Sequence, residues 1–449
     1  MGSATGRTAL NRLLASAQGR WDQRLREEDR QAWADAEKKS GRRAQRLTRD
    51  FGPGSSDTLG ARERHGVALH KLGRFAEAEA ELAAVARSRA ATVGADDALT
   101  LRAAIRHNSS LQALGRYAEA EAVLREVWQG RSRQLGVSHR QTLDDLLKHA
   151  VLLWRMGRLA AAETELSELV QTWIAAYGPG EPGGQWAGIS RVGVLVELGR
   201  LSDAERISRE LAELAADGLL ADKRLAAHAW CRRAEVVHEL GRTAEAEALY
   251  EDVVRSMTKI AGPRYRGTQV ARAGRALAAA NLGRPADAEA ELGEILAEYA
   301  AEWGDGHPDT LWVRILRATT LRQQGRVAEA EAEFRAAAAG LGIILGEGHH
   351  RTMYGHAWLG AALAGLGRLD EAAEELPPAV AGITRLLGAD HPRVLSHRGH
   401  LAALRRDRGE RELAVADCAA ALRSSAAVLG EQHPVTRELR DTYATLDGE

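Results

Sequence analysis

The chain has 449 residues, with 61 basic against 62 acidic side chains and a formal net charge of −1; this balance excludes the one-signed surface of a general nucleic-acid or anionic-membrane binder. Aromatics make up 4% of the residues, and Ala, Leu, Glu and Arg dominate, which points to an all-helical chain. Cys231 and Cys418 are too few for a disulfide framework, and no run of about 18 uncharged apolar residues marks a membrane span or a signal peptide near Met1, so a cytoplasmic protein with no nucleic-acid or membrane partner is expected.

Residues 1–50 read as a degenerate opening helix pair, because Trp33 and Asp35-Ala36-Glu37 stand one period before Phe75 and Glu77-Ala78-Glu79. Its charged composition suits a solvent-facing cap. Residues 51–432 form nine copies of a 42-residue unit, recognised by the glycine of Leu72-Gly73-Arg74, which returns at Gly115, Gly157, Gly199, Gly241, Gly283, Gly325, Gly367 and Gly409. A fixed period of this length is the signature of a solenoid of stacked helix hairpins. Residues 433–449 repeat the linker and the first helix only, and read as a C-terminal capping helix.

With the glycine set at position 15, helix A begins near position 0, where Thr58, Thr100, Thr142, Thr268, Thr310, Thr352 and Thr436 suit an N-cap. The preceding linker reads Leu-Gly-x-x-His-Pro at Leu387 to Pro392 and Leu429 to Pro434. There glycine stops one helix, proline starts the next and the histidine is a loop anchor. Position 20 is alanine in all nine copies, from Ala78 to Ala414, and position 8 is usually small, so the two helices approach closely. The linker from Gly178 to Gly184 departs most, and a local kink is expected there.

Position 7 is basic on an otherwise apolar stripe, and position 21 is glutamate in the same copies. If position 8 faces position 20 in an antiparallel pair, position 7 faces position 21. Each unit should then hold its own ion pair, as in His65 with Glu79, His149 with Glu163, Arg191 with Glu205, Arg233 with Glu247, Arg275 with Glu289, and Arg317 with Glu331. An anion-binding ladder is the alternative.

These small residues, the glycine turn and the apolar residue two places later (Phe75, Tyr117, Leu159, Leu201, Val327, Leu369) make residues 51–449 resemble the tetratricopeptide repeat. The 42-residue period and the Leu-Gly-x-x-His-Pro-x-Thr-Leu linker are similar to its kinesin-light-chain type, common in actinobacterial proteins. The resemblance implies a right-handed all-α superhelix of antiparallel helix pairs. It further implies an interaction scaffold with no shared reaction and no cofactor, whose inner groove, lined by helix A, receives a peptide or protein segment.

The groove positions are 2, 5, 6, 9, 12 and 13. Toward the N-terminus they carry basic residues, among them Arg106 and Lys148, which suit an acidic segment. Further on come Trp154, Trp186, His228, Leu277, Trp312, Ile315, Leu316, Tyr354, Trp358 and His400. A solvated face should not be this apolar, so an apolar or aromatic-anchored segment is expected to cover it. Self-association as a homodimer and a sensor holding a small hydrophobic molecule are the other readings. An atypical enzyme is a third class, using Cys231, Glu235 and His238 as nucleophile and base or as metal ligands. A straight helix nevertheless carries His228 about 15 Å from His238, and zinc wants four ligands, so no metal or catalytic residue is assigned.

Overall fold

The structure, a computed structural model, describes residues 30–447 apart from residue 221. Among the described residues the chain forms twenty α-helices and no strand. They are α1 (30–51), α2 (Ser56–Lys71), α3 (Phe75–Val93), α4 (Ala98–Ala113), α5 (Tyr117–Leu135), α6 (Arg140–Arg155), α7 (Leu159–Tyr177), α8 (Pro182–Glu197), α9 (Leu201–Ala216) and α10 (Lys223–Glu239). There follow α11 (Thr243–Ala261), α12 (Arg266–Asn281), α13 (Pro285–Trp303), α14 (Pro308–Gln323), α15 (Val327–Leu345), α16 (His350–Gly365), α17 (Leu369–Leu387), α18 (Pro392–Asp407), α19 (Arg411–Leu429) and α20 (Pro434–Asp447). From α2 on, even-numbered helices are helix A and odd-numbered ones helix B. The chain is an all-α solenoid of antiparallel helix pairs in two compact units, one up to Leu135 and one from Gly136 on. Of the helix pair expected over residues 1–50, residues 1–29 lie outside the described residues.

The glycine turn works through backbone hydrogen bonds. After α2, Arg74 N–H donates to Leu69 O at 3.0 Å and Gly73 N–H to His70 O at 3.1 Å, with Gly73 at φ 77°. These two hydrogen bonds, one from the left-handed Gly73 and one from Arg74, satisfy carbonyls that a helix end leaves open, and any Cβ on Gly73 would be strained.

Helix A starts earlier than the threonine pattern implies. The caps stand at position −3: Ser55, Asp97, His139, His307, His349 and His391 each accept a backbone N–H of the first turn. The threonine lies inside the helix, where Thr58, Thr100, Thr142 and Thr268 each donate at 2.9 Å to the carbonyl of the glycine ending the previous helix or helix B. The N-cap assignment of the threonines is therefore corrected; they staple the linker to the new helix. Across the linker from Gly178 to Gly184, Pro182 opens α8 in the same register as Pro308, Pro392 and Pro434. The departure lies one helix later, where α9 ends at Ala216 and the linker lacks the His-Pro pair.

The ion pairs join neighbouring units rather than the two helices of one unit. Position 7 reaches the position-21 glutamate 28 residues earlier, as in His65 with Glu37 (3.2 Å), His107 with Glu79 (3.0 Å), Arg191 with Glu163 (2.9 Å), Arg233 with Glu205 (3.7 Å) and Arg317 with Glu289 (2.6 Å). Within a unit it meets position 23 instead, as in His149 with Glu165 (2.8 Å), Arg275 with Glu291 (2.7 Å) and Arg317 with Glu333 (3.3 Å). Thus Glu79, Glu163, Glu205, Glu247, Glu289 and Glu331 do not pair with the residue expected for each. Helix packing supplies the reason: a Cβ on Gly66 would lie 2.7 Å from Leu82 and one on Gly360 2.6 Å from Leu376, so position 8 sits over position 24. That one-turn offset turns position 21 toward the next helix A. The turn arginine closes the same carboxylates, as in Arg116 with Glu79 (3.4 Å), Arg200 with Glu163 (3.4 Å), Arg242 with Glu205 (3.4 Å) and Arg284 with Glu247 (2.5 Å).

Replacing Arg317 by Leu strips one guanidinium from two partly buried carboxylates at once. We expect a loss of about 1–3 kcal/mol in urea unfolding, and a smaller loss for Arg326→Ala, whose nearer partner Glu329 is exposed and which stands 3.9 Å from Glu289.

Candidate functional site on the inner face

Neighbouring A helices of the second unit touch one another from α6 through α20, whereas B helices show no comparable contact with their B neighbours. The A layer is therefore the inner one. Small buried residues at its contacts, such as Ala187, Ala229 and Ala271 at position 3, permit this approach.

Three linker histidines close this unit on itself. His349, His391 and His433 accept the backbone N–H of Arg351, Arg393 and Val435 on Nδ1 at 3.1, 3.1 and 3.2 Å. Their other ring nitrogen reaches a carbonyl 194 residues earlier: Arg155 O at 3.2 Å, Glu197 O at 3.1 Å and Glu239 O at 3.0 Å. A carbonyl only accepts, so Nε2 carries the hydrogen; Nδ1 accepts, so it carries none. The geometry fixes the neutral Nε2–H tautomer in all three rings. Burial favours the same state, holding His349 down to about 2 and His391 down to about 3, and His433 below its ordinary value. The turn glycines after α6, α8 and α10 make room: a Cβ on Gly199 would stand 2.6 Å from the His391 ring. Charges back the contact, with Glu197 Oε2 3.1 Å from His350 Nε2 and Arg393 3.9 Å from Glu239. Burial would raise the Glu197 carboxyl, but His350, Arg351 and Arg393 hold it well below the usual carboxylate range.

Beside this clasp runs a chain of rings. Trp312 lies 5.5 Å from Tyr354, Tyr354 5.1 Å from His397, Trp358 4.8 Å from His397 and 5.2 Å from His400, centroid to centroid. Guanidinium groups stand over three of them: Arg351 over Trp312 at 5.1 Å, Arg393 over Tyr354 at 5.6 Å and Arg322 over Trp358 at 4.7 Å. Burial pushes both His397 and His400 below the ordinary imidazole value, His400 to about 3, so both rings are neutral. A second group lies on α6, α8 and α10. Trp154 crosses Gly193, where a Cβ would meet its ring at 2.4 Å, to sit under Arg232. Trp186 packs 4.8 Å from His228, whose Nε2 is 3.0 Å from Tyr265 Oη.

Other expected groove residues lie elsewhere. Ile315 is fully buried in the core of α14 to α18, and Cys231 is buried among Ala234, Tyr250 and Val253. Position 5 points at the neighbouring A helix, which corrects both placements. Leu277 and Leu316 rest partly buried on the core of α12 to α14. Burial pushes the Cys231 thiol up to about 12, Glu235 is taken by Arg232, and His238 Nε2 faces Asn281 at 2.9 Å. The three do not converge, and among the described residues no group of His, Cys, Asp and Glu is placed to hold a metal ion. Of the basic residues toward the N-terminus, Arg106 joins Arg89 and Arg102 on the buried Glu63, and Lys148 meets Asp145 at 2.8 Å.

The residues missed from the sequence are Arg322, Arg351, Arg393, Glu197 and His397. Arg322 stands at position 12 of helix A, already a groove position, and was legible. Arg351 and Arg393 sit in the first turns of α16 and α18, whose inward direction shows only once the unit closes. A cavity of about 500 Å³ opens away from this face between α16 and α17, where His356 lies between Glu347 and Glu375.

Residues 109–141, 359–393 and 394–435 match one tetratricopeptide repeat model, and residues 269–294 and 311–336 match a second. These five segments are similar to tetratricopeptide repeats. Among solved structures this repeat array is similar to a Rap protein complexed with Competence and Sporulation Factor, at 13% identity over 78% of this chain and 98% of that one, with a TM-score of 0.52. It is also similar to nearly identical TPR-like repeats of a putative kinesin light chain from Podosopora anserina, at 23% identity over 46% and 96%, TM-score 0.36. A third is a Signal Transduction ATPase with Numerous Domains with a tetratricopeptide repeat sensor from Pyrococcus horikoshii, at 14% identity over 91% and 55%, TM-score 0.40. No curated protein matches the chain. No helix among the described residues is long and apolar enough to cross a membrane.

The clasp makes the repeats' stability depend on acid. A ring neutral in the fold but with an ordinary value near 6.5 when unfolded contributes fully above about pH 6.5 and loses that contribution as pH falls toward about 3 for His391. The melting temperature should therefore fall between pH 7 and pH 5. His391→Gln, which keeps one donor and one acceptor without titrating, should fall less steeply in calorimetry.

Proposed function

We propose that the repeats act as an interaction scaffold that receives a short peptide or an extended protein segment on the inner face of the second unit. The observation that carries this reading is the run of partly exposed rings at Trp312, Tyr354 and Trp358, continued by Trp186 and Trp154 across the same layer. Rings of this size on a helix face cost solvation unless something covers them, and Trp and Tyr are the side chains that most often anchor a bound segment. The arginines stacked on them leave ring edges and guanidinium N–H groups for a ligand's backbone and polar atoms. The similar Rap protein is complexed with a named factor, which supports a role in binding for an array of this fold.

Selection of a random dodecapeptide display library on the purified chain should enrich binders. Trp312→Ala and Trp358→Ala should weaken the enriched peptides at least tenfold with helicity unchanged, while Cys231→Ser stays within about twofold. Peptides that bind the tryptophan variants as well as the parent would contradict the reading.

A further inference from the structure

The helix pair α16 and α17, seen from its outer side, keeps a set of acceptors whose cation is missing. In the preceding copy Arg314, at position 4 of helix A, spans two carboxylates, Asp305 of the linker at 3.8 Å and Glu333 of helix B at 3.5 Å. Arginine at position 4 meets the same helix-B carboxylate in two further copies, Arg62 with Glu81 at 2.9 Å and Arg272 with Glu291 at 3.1 Å. The copy of α16 and α17 retains both acids, as Glu347 and Glu375, but puts His356 where the arginine stands. It also adds Glu374, where those three copies carry Ala80, Ala290 and Ala332. The imidazole is shorter than an arginine and does not fill the space. A carboxylate only accepts, so His356 Nδ1 donates to Glu375 at 2.7 Å. The buried Nε2 has no hydrogen-bond partner and stands 3.3 Å from Glu347. Around it lies the cavity of about 500 Å³, walled by Met353, Pro378 and Leu386 and lined by all three carboxylates against one cation, Arg385. One more acceptor comes from the backbone. Pro377 and Pro378 lie inside α17, so neither the third nor the fourth residue after Glu374 can donate to its carbonyl.

We propose that this cavity binds a guanidinium group from outside the chain, the group that Arg62, Arg272 and Arg314 supply from within it. The guanidinium sits between Glu347 and Glu374 and gives one N–H to His356 Nε2, which accepts because Nδ1 holds the ring's hydrogen. Its alkyl stem packs on Met353 and Pro378. A guanidinium suits the site better than an ammonium, because its planar fork serves carboxylates on two sides at once. A metal ion does not, since among the described residues no group of His, Cys, Asp and Glu is placed to hold one. The size of the cavity is that of a small-molecule site. A free guanidino compound and an arginine side chain of a partner protein carry the same group. The site lies away from the inner face, and neither reading depends on the other.

The test is calorimetric titration of the full chain with two matched pairs of probes. One pair is L-arginine and its neutral isostere L-citrulline; the other is a capped Gly-Ser nonapeptide with one central arginine and the same peptide with citrulline there. The proposal expects the charged member of at least one pair to bind at least tenfold more tightly than its neutral counterpart. His356→Arg should close the gap by filling the cavity with the chain's own guanidinium, with a melting temperature at or above the parent's, because Arg314 already makes the same two contacts. Glu374→Ala, on an exposed side chain, should narrow the gap at least threefold with the fold unchanged. A gap only with free L-arginine assigns the site to a small molecule, and a gap only with the peptide assigns it to a partner's side chain; both support it. Should His356→Arg not fold, Glu374→Ala must narrow the gap by itself. Equal binding within both pairs, a gap that survives His356→Arg, or no binding by any probe would overturn the site.

Discussion

A neutral imidazole in three linkers carries two hydrogen bonds at once, one capping its own helix and one reaching a helix end 194 residues back. The second bond is available only because every unit has the same length. An insertion of one residue anywhere between Arg155 and His349 would shift the facing pairs, and the three contacts would not fall in step. The strict period of the glycine turn is therefore a constraint on closure as well as on local folding. The ring chemistry follows from it: a carbonyl on one side and a backbone N–H on the other leave a single tautomer and no room for a second proton.

Closure also explains where charge is tolerated. Each position-21 glutamate lies between two helices A, so it can take a cation from position 7 and another from the turn arginine of the next unit. Charges at a seam between units specify the stacking register, a role that apolar packing of many similar alanines fills poorly. Where position 7 becomes leucine, at Leu359, the glutamate before it, Glu331, turns to Arg335 and Arg368. The inner face is left as the region where rings and guanidinium groups outnumber the carboxylates that meet them.

Much of the fold was legible because periodicity is a backbone property: turn glycines, small residues at two positions and helix lengths follow from spacing alone. Partner assignment was not. The co-occurrence of cation and glutamate in seven units fits pairing within a unit or with the previous one, and only Glu37 opposite His65 breaks the tie. The threonine at position 0 looked like a cap because its hydroxyl suits one; the backbone begins the helix three residues sooner and uses that hydroxyl on a glycine carbonyl instead. For the site, Trp312, Tyr354 and Trp358 could be found from the helical wheel, whereas Ile315 and Cys231 could not be separated from them. A wheel does not show how near the next A helix comes. Arg393 and Glu197 became visible only through contacts between residues far apart in the chain.

The central claim is that the second unit closes through these linkers, and it is tested most directly by a double cysteine at Gly199 and His391 in a chain with Cys231 and Cys418 replaced by serine. Gly199 is left-handed at φ 70°, so its cysteine carries some backbone strain, and the other two histidine contacts hold the unit in place. Because a Cβ on Gly199 would stand 2.6 Å from the His391 ring, the two thiols should lie within disulfide reach. Mild oxidation should give an intramolecular crosslink seen as a mobility shift that reductant reverses. Two thiols that stay free and open to alkylation in the folded chain would contradict the account.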